Sequence, residues 1–215
     1  MADTCENMLY VVPDSPEAND QLQDFIEKST SSEFPFCLEG TLPIPEELND
    51  TPSTYENNGI AILMSQRGDN RLLTKMLAYS WVKQEKITTE DDLARYILAH
   101  DEADLGLAAI YLDNLEKYGA MNEYDWTMKN WGCHCVWDGT LPAKVKIDKK
   151  FFKVEFYTPN TPPDKWLEKI APNYPELIFF LRYESWGQFE GFCISYKGKT
   201  FNGDPINGEF LNISN

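Results

Sequence analysis

Residues 177–196 read LIFFLRYESWGQFEGFCISY, and this stretch decides the fold class. Leu177–Glu184 and Phe189–Tyr196 are apolar and aromatic runs of strand length, and Gly187 lies in the turn between them. A connection this short predicts that the two strands are antiparallel neighbours. The segment therefore predicts a β-hairpin within an antiparallel sheet.

The residues that precede this hairpin continue the pattern. Residues 144–147 read KVKI and residues 152–156 read FKVEF, so that apolar and charged side chains alternate. A period of two is expected of half-buried strands. Thr161, followed by Pro162, predicts the start of a helix, with Thr161 as its cap. Residues 121–215 are therefore predicted to form a β-β-α-β-β part of one domain.

The first 58 residues predict a β-α-β part of the same domain. Residues 8–12 (MLYVV) form a short β-rich run, and Ser15 with Pro16 predicts the start of a helix. Phe34–Leu42 is interpreted as a second strand, in which Pro35 permits only an edge position or a late start. Both parts together predict an α+β, ferredoxin-like antiparallel sheet with helices on one face.

Residues 59–120 interrupt this arrangement with apolar residues at helical spacing. Leu72, Leu73, Met76 and Leu77 fall on one helix face, and Gly119 is placed to end a later helix. The pattern predicts a helical insertion of about three helices.

The composition indicates a protein of the cytoplasm. The chain has 215 residues, of which 42% are hydrophobic, so it can bury a substantial core. No apolar run approaches the roughly 20 residues that span a bilayer, and Met1–Tyr10 lacks the features of a signal peptide. Five scattered cysteines argue against a secreted disulfide framework.

The net charge of -16 is concentrated at the start of the chain. Residues 1–58 hold 13 acidic and 1 basic side chain, whereas residues 124–215 hold 11 of each. Such a surface repels phosphates, so direct binding to nucleic acid is not expected. Two interpretations stay open: a solvated face that keeps the protein soluble, or an acidic surface for a protein partner with a basic surface. The candidate residues for that acidic surface are Asp14, Glu17, Asp20 and Asp24.

The sequence contains no recognisable catalytic motif. It has no G-x-S-x-G elbow, no P-loop and no H-E-x-x-H. Cys133-His134-Cys135 invites a zinc interpretation, but a structural zinc site needs four ligands and no second close pair exists. A strand with one buried and one exposed side explains these three residues better. We therefore expect no catalytic residue, no metal and no cofactor.

Residues 118–137 read YGAMNEYDWTMKNWGCHCVW and form the segment richest in aromatic residues. Buried tryptophans usually serve packing, and their N–H groups then need hydrogen-bond partners. Tryptophan and tyrosine are also enriched in binding hot spots, so a recognition surface is the second interpretation. The candidate binding residues are Tyr124, Asp125, Trp126, Asn130 and Trp131.

Several of these segments resemble the YubB-type ferredoxin-like domain family of phage, plasmid and bacterial proteins. Residues 5–11 (CENMLYV) resemble its first strand, and residues 42–48 (LPIPEEL) resemble its Pro-x-Pro-Glu-Glu-Leu segment. Tyr118-Gly119, Tyr124-Asp125-Trp126 and Asn130-Trp131-Gly132 resemble its most distinctive signature. The resemblance covers roughly residues 4–48 and 115–200. It implies the ferredoxin-like fold and a mobile-element setting, and it implies no activity.

Two hypotheses about function follow. The first is a non-catalytic interaction protein of a phage, plasmid or other mobile element that binds a host protein through an acidic surface. The second is an enzyme whose site cannot be recognised in the sequence, because folds of this type host many functions. The sequence predicts no membrane association and leaves the oligomeric state open.

Overall fold

A computed structural model describes residues 3–100, 102–136, 142–204 and 209–211. The chain divides into two compact units: residues 1–44 with 127–215, and residues 45–126. The predicted helical insertion, residues 59–120, therefore lies within the second unit, which begins earlier and ends later than the predicted boundaries.

The first unit is built on one antiparallel sheet. Its described strands are β1 (Thr4–Pro13), β2 (Lys144–Asp148), β3 (Phe151–Pro159), β4 (Leu177–Ser185), β5 (Phe189–Tyr196), β6 (Lys199–Asp204) and β7 (Glu209–Leu211). They pair in the order β2-β3-β1-β4-β5-β6-β7. β1 lies between β3 and β4, with Leu9 opposite Val154 on one side and Leu181 on the other.

The described residues also form nine α-helices, which are divided between the two units. They are α1 (Asn19–Ser29), α2 (Glu46–Asn49), α3 (Asn57–Gln66), α4 (Arg71–Met76), α5 (Ser80–Gln84), α6 (Glu90–Ala99), α7 (Leu105–Tyr118), α8 (Glu123–Asn130) and α9 (Asp164–Ile170). Antiparallel strands in one unit and helices in both confirm the predicted α+β class.

The core of the first unit lies between the sheet and its helices α1 and α9. Phe25 of α1 packs edge-to-face on Phe152 of β3 and Phe179 of β4, with ring centroids 5.6 and 5.3 Å apart. It also lies 6.4 Å from the ring of Trp166 on α9. Each buried aromatic side chain contributes about 1.5–3 kcal/mol to stability, and such ring pairs add to this. Strand residues that point to the opposite face, such as Met8, stay half-exposed.

The predicted second strand, Phe34–Leu42, is wrong. These residues form turns and bends that fold back on the end of α1, where the Cys37 amide donates to the Ser29 carbonyl at 2.9 Å. Gly40 lies so close to the chain that an added Cβ would be 1.7 Å from the Lys28 carbonyl oxygen. The chain therefore turns where a strand would have to run straight, and the predicted β-α-β part has no second strand.

The second unit is helical, and two clusters of apolar side chains hold it together. One consists of Ala61, Ile62, Leu73, Met76, Val82, Leu93 and Ile97. The other consists of Ile60, Ala108, Tyr111 and Leu112. The residues predicted to share a helix face, Leu72, Leu73, Met76 and Leu77, divide between α4 and its immediate end. The structure forms more and shorter helices here than the three predicted, since Gly68 and the turn after Met76 interrupt the pattern.

Local signals at helix ends had mixed outcomes. Gly119 ends α7 in the left-handed conformation with φ 67°, as predicted. Pro16 opens a 3-10 turn, Pro16–Ala18, before α1 begins at Asn19. The Thr161 cap is wrong, because α9 begins at Asp164 and the Thr161 hydroxyl donates to the Gly132 carbonyl instead. No helix among the described residues has both the length and the apolar character needed to cross a bilayer.

Candidate functional site

The five aromatic-segment candidates lie on α8 or directly after it. Trp126 and Trp131 are buried, whereas Tyr124 is 44% exposed and Asp125 and Asn130 are half-buried. Burial of both indoles fits the packing interpretation for these two residues. Trp137 of the same segment lies outside the described residues.

Trp131 and Gly132, which follow α8, contact distant segments of the first unit, to which they belong. The Trp131 indole N–H donates to the Leu42 carbonyl at 3.1 Å, and the Trp131 carbonyl accepts from the Trp166 amide at 3.0 Å. Gly132 has φ 89°, and a Cβ there would lie 2.9 Å from the Pro162 carbonyl oxygen. This left-handed, crowded position favours glycine. Trp131-Gly132 therefore joins α8 to α9 and serves structure.

Asp125 is half-buried, and its carboxylate accepts hydrogen bonds from other residues of the second unit. The Asn122 side chain caps α8 by accepting from the Asp125 amide at 2.9 Å. The Asp125 carboxylate in turn accepts hydrogen bonds from the Tyr55 phenol and from the Met121 amide, the latter at 3.3 Å. Burial and the neighbouring Asp125 carboxylate raise the pKa of Tyr55 to about 12. Asp125 therefore accepts two hydrogen bonds within the second unit.

Tyr55 and Asp125 line one side of a cleft of about 490 Å³ in the second unit, here called the apolar cleft. Its other lining residues are Asn57, Ile60, Met64, Arg71, Leu72, Lys75 and Met121. This volume lies in the range of small-ligand sites, which are mostly apolar with a few placed polar groups. Methionine side chains adapt their shape, so Met64 and Met121 suit a cleft that admits an apolar group.

The acidic residues predicted around α1 divide into two pairs. Asp14 forms an ion pair with Lys197, and Asp24 accepts from Lys28 at 2.8 Å and from the Tyr174 phenol at 3.1 Å. The hydrogen bond from Lys28 lowers the pKa of Asp24. Glu17 and Asp20 are exposed. About half of this predicted acidic surface is therefore already compensated by the protein itself.

A second acidic region lies in the second unit. Glu56, Glu102 and Asp104 line one hollow, and Glu85 and Glu102 line another, so that Glu102 belongs to both. We call Glu56, Glu85, Glu102 and Asp104 the four-carboxylate surface. Two of its members hold helix starts: Glu56 accepts from the Gly59 amide and Asp104 from the Leu107 amide, both at 2.9 Å. Among the described residues, none of the four forms an ion pair.

The hollow shared by Glu85 and Glu102 also presents aromatic rings. It measures about 380 Å³ and is here called the Trp81–Tyr96 pocket; its lining is Asn58, Trp81, Gln84, Glu85, Tyr96 and Glu102. The two ring centroids are 6.0 Å apart with an interplanar angle of 39°. His100 stacks on Tyr96 at 4.0 Å and 24° and thereby fixes that ring. Burial raises the pKa of Tyr96, and the negative charges of Glu85 and Glu102 raise it further.

Sequence analysis missed this pocket because its members come from separate elements. Trp81 lies on α5, Tyr96 on α6, and Glu102 in the loop that leads to α7. The Asn58 side chain donates to the Glu102 carbonyl at 2.8 Å and holds that loop to α3. The sequence shows only a tryptophan and a tyrosine that each lie within a few positions of acidic residues, and this does not indicate that the two rings are close in space.

The segment Cys133-His134-Cys135 differs in structure from the sequence prediction. The predicted strand is wrong, because residues 133 and 134 form bends and residues 135 and 136 are irregular, after Gly132 has turned the chain. Cys133 is buried, and burial raises the pKa of its thiol, which disfavours the thiolate that metals and substrates require. The described residues contain no group of three or more His, Cys, Asp or Glu side chains that could hold a metal ion. Glu47 pairs with Lys117 at 2.5 Å, which lowers the pKa of Glu47 to about 2.

Comparison with known proteins gives one distant likeness. No family model and no curated protein matches the chain. The chain is similar in structure to protein api92 from Yersinia pseudotuberculosis, described as a DUF1281 family protein, with 10% identity and a TM-score of 0.42. The match covers 95% of this chain and 98% of that one. At these values, function has to be argued from the residues of the chain itself.

Proposed function

We propose that this chain is a binding protein for a protein partner with a basic surface, and that the four-carboxylate surface of the second unit recognises it. The observation that carries the proposal is that Glu56, Glu85, Glu102 and Asp104 lie around two adjoining hollows and, among the described residues, have no cationic partner.

The charge balance of the second unit supports this proposal. Residues 45–126 hold 16 acidic and 7 basic side chains. Uncompensated charge of one sign attracts an oppositely charged partner and raises the rate of association, an effect that salt weakens. By contrast, Asp14 and Asp24 near α1 already have cationic neighbours. The second unit therefore offers the stronger attraction for a basic partner.

The resemblance noted in the sequence gives the proposal its setting. It implies a phage or plasmid protein, which we place in the cytoplasm and expect to act on a host protein. We further propose that β1 to β4 form a ferredoxin-like sheet. The order β2-β3-β1-β4, with α1 leaving β1 and α9 joining β3 to β4, supports that description.

An enzyme remains the second candidate, and the apolar cleft is the observation that favours it. Its volume suits a small molecule, and Tyr55 and Asp125 provide polar groups at one side. General acid–base catalysis is most effective when the pKa of the catalytic group lies near the working pH. Since the pKa of Tyr55 is about 12, its phenol is poorly suited to exchange protons near neutral pH. The binding function is therefore the better supported of the two.

Capture of partners from host lysate tests the proposal when matched variants are compared. In Glu85→Gln with Glu102→Gln, two charges of the four-carboxylate surface are removed while side-chain size is kept. The control, Asp113→Asn with Glu116→Gln, removes two exposed charges from α7 of the same unit. We expect the first variant to retain less of a basic protein at low salt and the control to equal the native chain. Equal retention by all three proteins would contradict the proposal.

A further inference from the structure

The Trp81–Tyr96 pocket combines two kinds of group that recognise one kind of ligand. Its walls are the rings of Trp81 and Tyr96, and Glu85 and Glu102 supply carboxylates to the same hollow. Aromatic faces attract cations, tryptophan most strongly. Carboxylates pair with the same cations by charge-assisted hydrogen bonds. An anionic ligand or a purely apolar ligand would leave the Glu85 and Glu102 carboxylates without a cationic partner.

We propose that this pocket binds one arginine side chain of the partner, with the guanidinium against Trp81 and Tyr96 and its N–H groups donating to Glu85 and Glu102. This inference rests on the proposed function, to which it adds the residue that the partner contributes. The pocket, and not the charge around it, then determines which basic segments bind.

The geometry favours arginine over lysine. A guanidinium is planar, stacks on aromatic rings and offers five N–H donors, whereas an ammonium group is compact and strongly hydrated. The Trp81 and Tyr96 rings are inclined at 39° with centroids 6.0 Å apart, so they form an angled wall and not a slot closed on both sides. A planar cation can lie along such a wall and still reach carboxylates at its edge. His100, stacked at 4.0 Å, prevents the Tyr96 ring from turning away.

Partial burial makes these contacts stronger than they would be on an open surface. Trp81 and Tyr96 are both half-buried, and Trp81 packs against the cluster that contains Val82 and Ile97. Cation–π attraction increases as water is removed from the contact. The rings therefore form a fixed wall, and arginine does not have to order them on binding.

Short capped peptides test the pocket without knowledge of the partner. The probes are acetyl-Gly-Arg-Gly-amide, its lysine counterpart and its norleucine counterpart, titrated into the full chain while the backbone amides of Gln84, Tyr96 and Glu102 are followed by NMR. We expect the arginine peptide to bind most tightly, the lysine peptide more weakly and the norleucine peptide not at all over the same range. Trp81→Leu should weaken the arginine peptide roughly 3- to 30-fold.

Two further variants separate loss of the pocket from loss of the fold. Trp81→Phe keeps an aromatic face and should retain most of the arginine preference. Trp186→Leu removes a tryptophan that is 82% exposed in the first unit and should change nothing. Because Trp81 also packs inside the second unit, the thermal midpoint of each variant is measured alongside.

The outcomes distinguish the pocket from the proposed function. Equal binding of the arginine and lysine peptides, unaffected by Trp81→Leu, would overturn the pocket while lysate capture could still support a basic partner. Capture that depends on Glu85 and Glu102, with no peptide bound, would also overturn the pocket alone. A third outcome is that the arginine peptide binds only when Trp81 is present, while the native chain and the carboxylate variants capture the same amount of basic protein. This outcome would support the pocket and overturn the proposed function.

Discussion

The Tyr55 phenol donates a hydrogen bond to the Asp125 carboxylate, a residue 70 positions later in the chain. The bond links the segment before α3 to the first turn of α8, within the second unit. It also explains why Asp125, which sequence analysis selected as a binding candidate, is not an isolated surface charge. Tyr55 and Asp125 form a polar side of the apolar cleft, and the protonation of Tyr55 can be measured directly.

The first prediction concerns the titration of Tyr55. Its pKa is raised from the ordinary value of 10.0 to about 12, first by burial and then by Asp125. In Asp125→Asn the negative neighbour is lost, so we expect the pKa of Tyr55 to fall toward 10. The measurement is the ultraviolet absorbance of tyrosinate against pH, with Tyr55→Phe identifying the contribution of this residue.

The same shift predicts how stability depends on pH. A phenol whose pKa is higher in the folded state contributes stability that is complete below the unfolded value and lost as pH rises through the folded value. We therefore expect the native chain, compared with Tyr55→Phe, to lose relative stability between pH about 10 and about 12. If the free energies of unfolding of the two proteins differed by the same amount throughout this pH interval, the raised pKa of Tyr55 would be contradicted.

The second prediction compares two tryptophans. Trp131 is 4% exposed and its indole donates to Leu42, whereas Trp186 is 82% exposed. Trp131→Ala removes a buried ring and should lower the free energy of unfolding by about 3–5 kcal/mol, a large part of what a domain has. Trp186→Ala should leave the urea midpoint nearly unchanged. A soluble Trp131→Ala variant with the native midpoint would assign Trp131 to a recognition surface.

The third prediction concerns two exposed glycines. At Gly40 an added Cβ would lie 1.7 Å from the Lys28 carbonyl oxygen, so the loop must move away from α1. We expect Gly40→Ala to cost at least about 1–3 kcal/mol of stability. Gly106 lies in α7, where the nearest atom to an added Cβ is 3.4 Å away. There Gly106→Ala should leave stability unchanged or raise it by up to about 1 kcal/mol, because alanine favours helix.

The fourth prediction concerns Asp24 at low pH. The hydrogen bond from Lys28 and that from Tyr174 hold its pKa below the ordinary 3.8. Such a carboxylate contributes stability above its unfolded pKa and loses it as pH falls through the folded value. We expect the native chain to lose stability more steeply than Asp24→Asn as pH falls below about 3.8. Asp20→Asn, an exposed neighbour on the same helix, serves as the control.

The fifth prediction concerns association. If the acidic group around α1 also attracts the basic partner, neutralising Asp14, Glu17, Asp20 and Asp24 should slow association and leave dissociation nearly intact. Because Asp14 and Asp24 are already paired, Glu17→Gln with Asp20→Asn should produce most of that effect. The rates are measured with the captured partner at low and high salt. Identical association rates would mean that this side of α1 only interacts with solvent.

Sequence analysis predicted best where one local rule determines the structure. The apolar and aromatic run Phe189–Tyr196, with the turn at Gly187 before it, predicted a strand with the bounds that the structure has. Gly119 ended its helix because only glycine adopts that left-handed conformation without strain. Both features depend on residues close together in the chain.

Prediction failed where distant residues decide the structure. In Phe34–Leu42, Phe36 and Leu38 are buried, as alternation in a strand would also require, but the backbone there turns against α1. The short strand β6 was missed because its residues, KTFNGD, carry little apolar signal and depend on pairing with β5. For the same reason the Trp81–Tyr96 pocket could not be predicted, since it forms only when three separate elements meet.

The central position of β1 has a consequence for how the protein is made. Both of its neighbours, β3 and β4, follow the whole of residues 45–126 along the chain. On a ribosome that adds about 5–20 residues per second, β1 therefore waits on the order of ten seconds or more before either partner strand exists. During that time Leu9 and Val11 belong to an unpaired strand, which is the kind of segment that joins with other nascent chains. We therefore expect the yield of folded protein to depend on protection of β1 during synthesis, independently of the stability of the finished sheet.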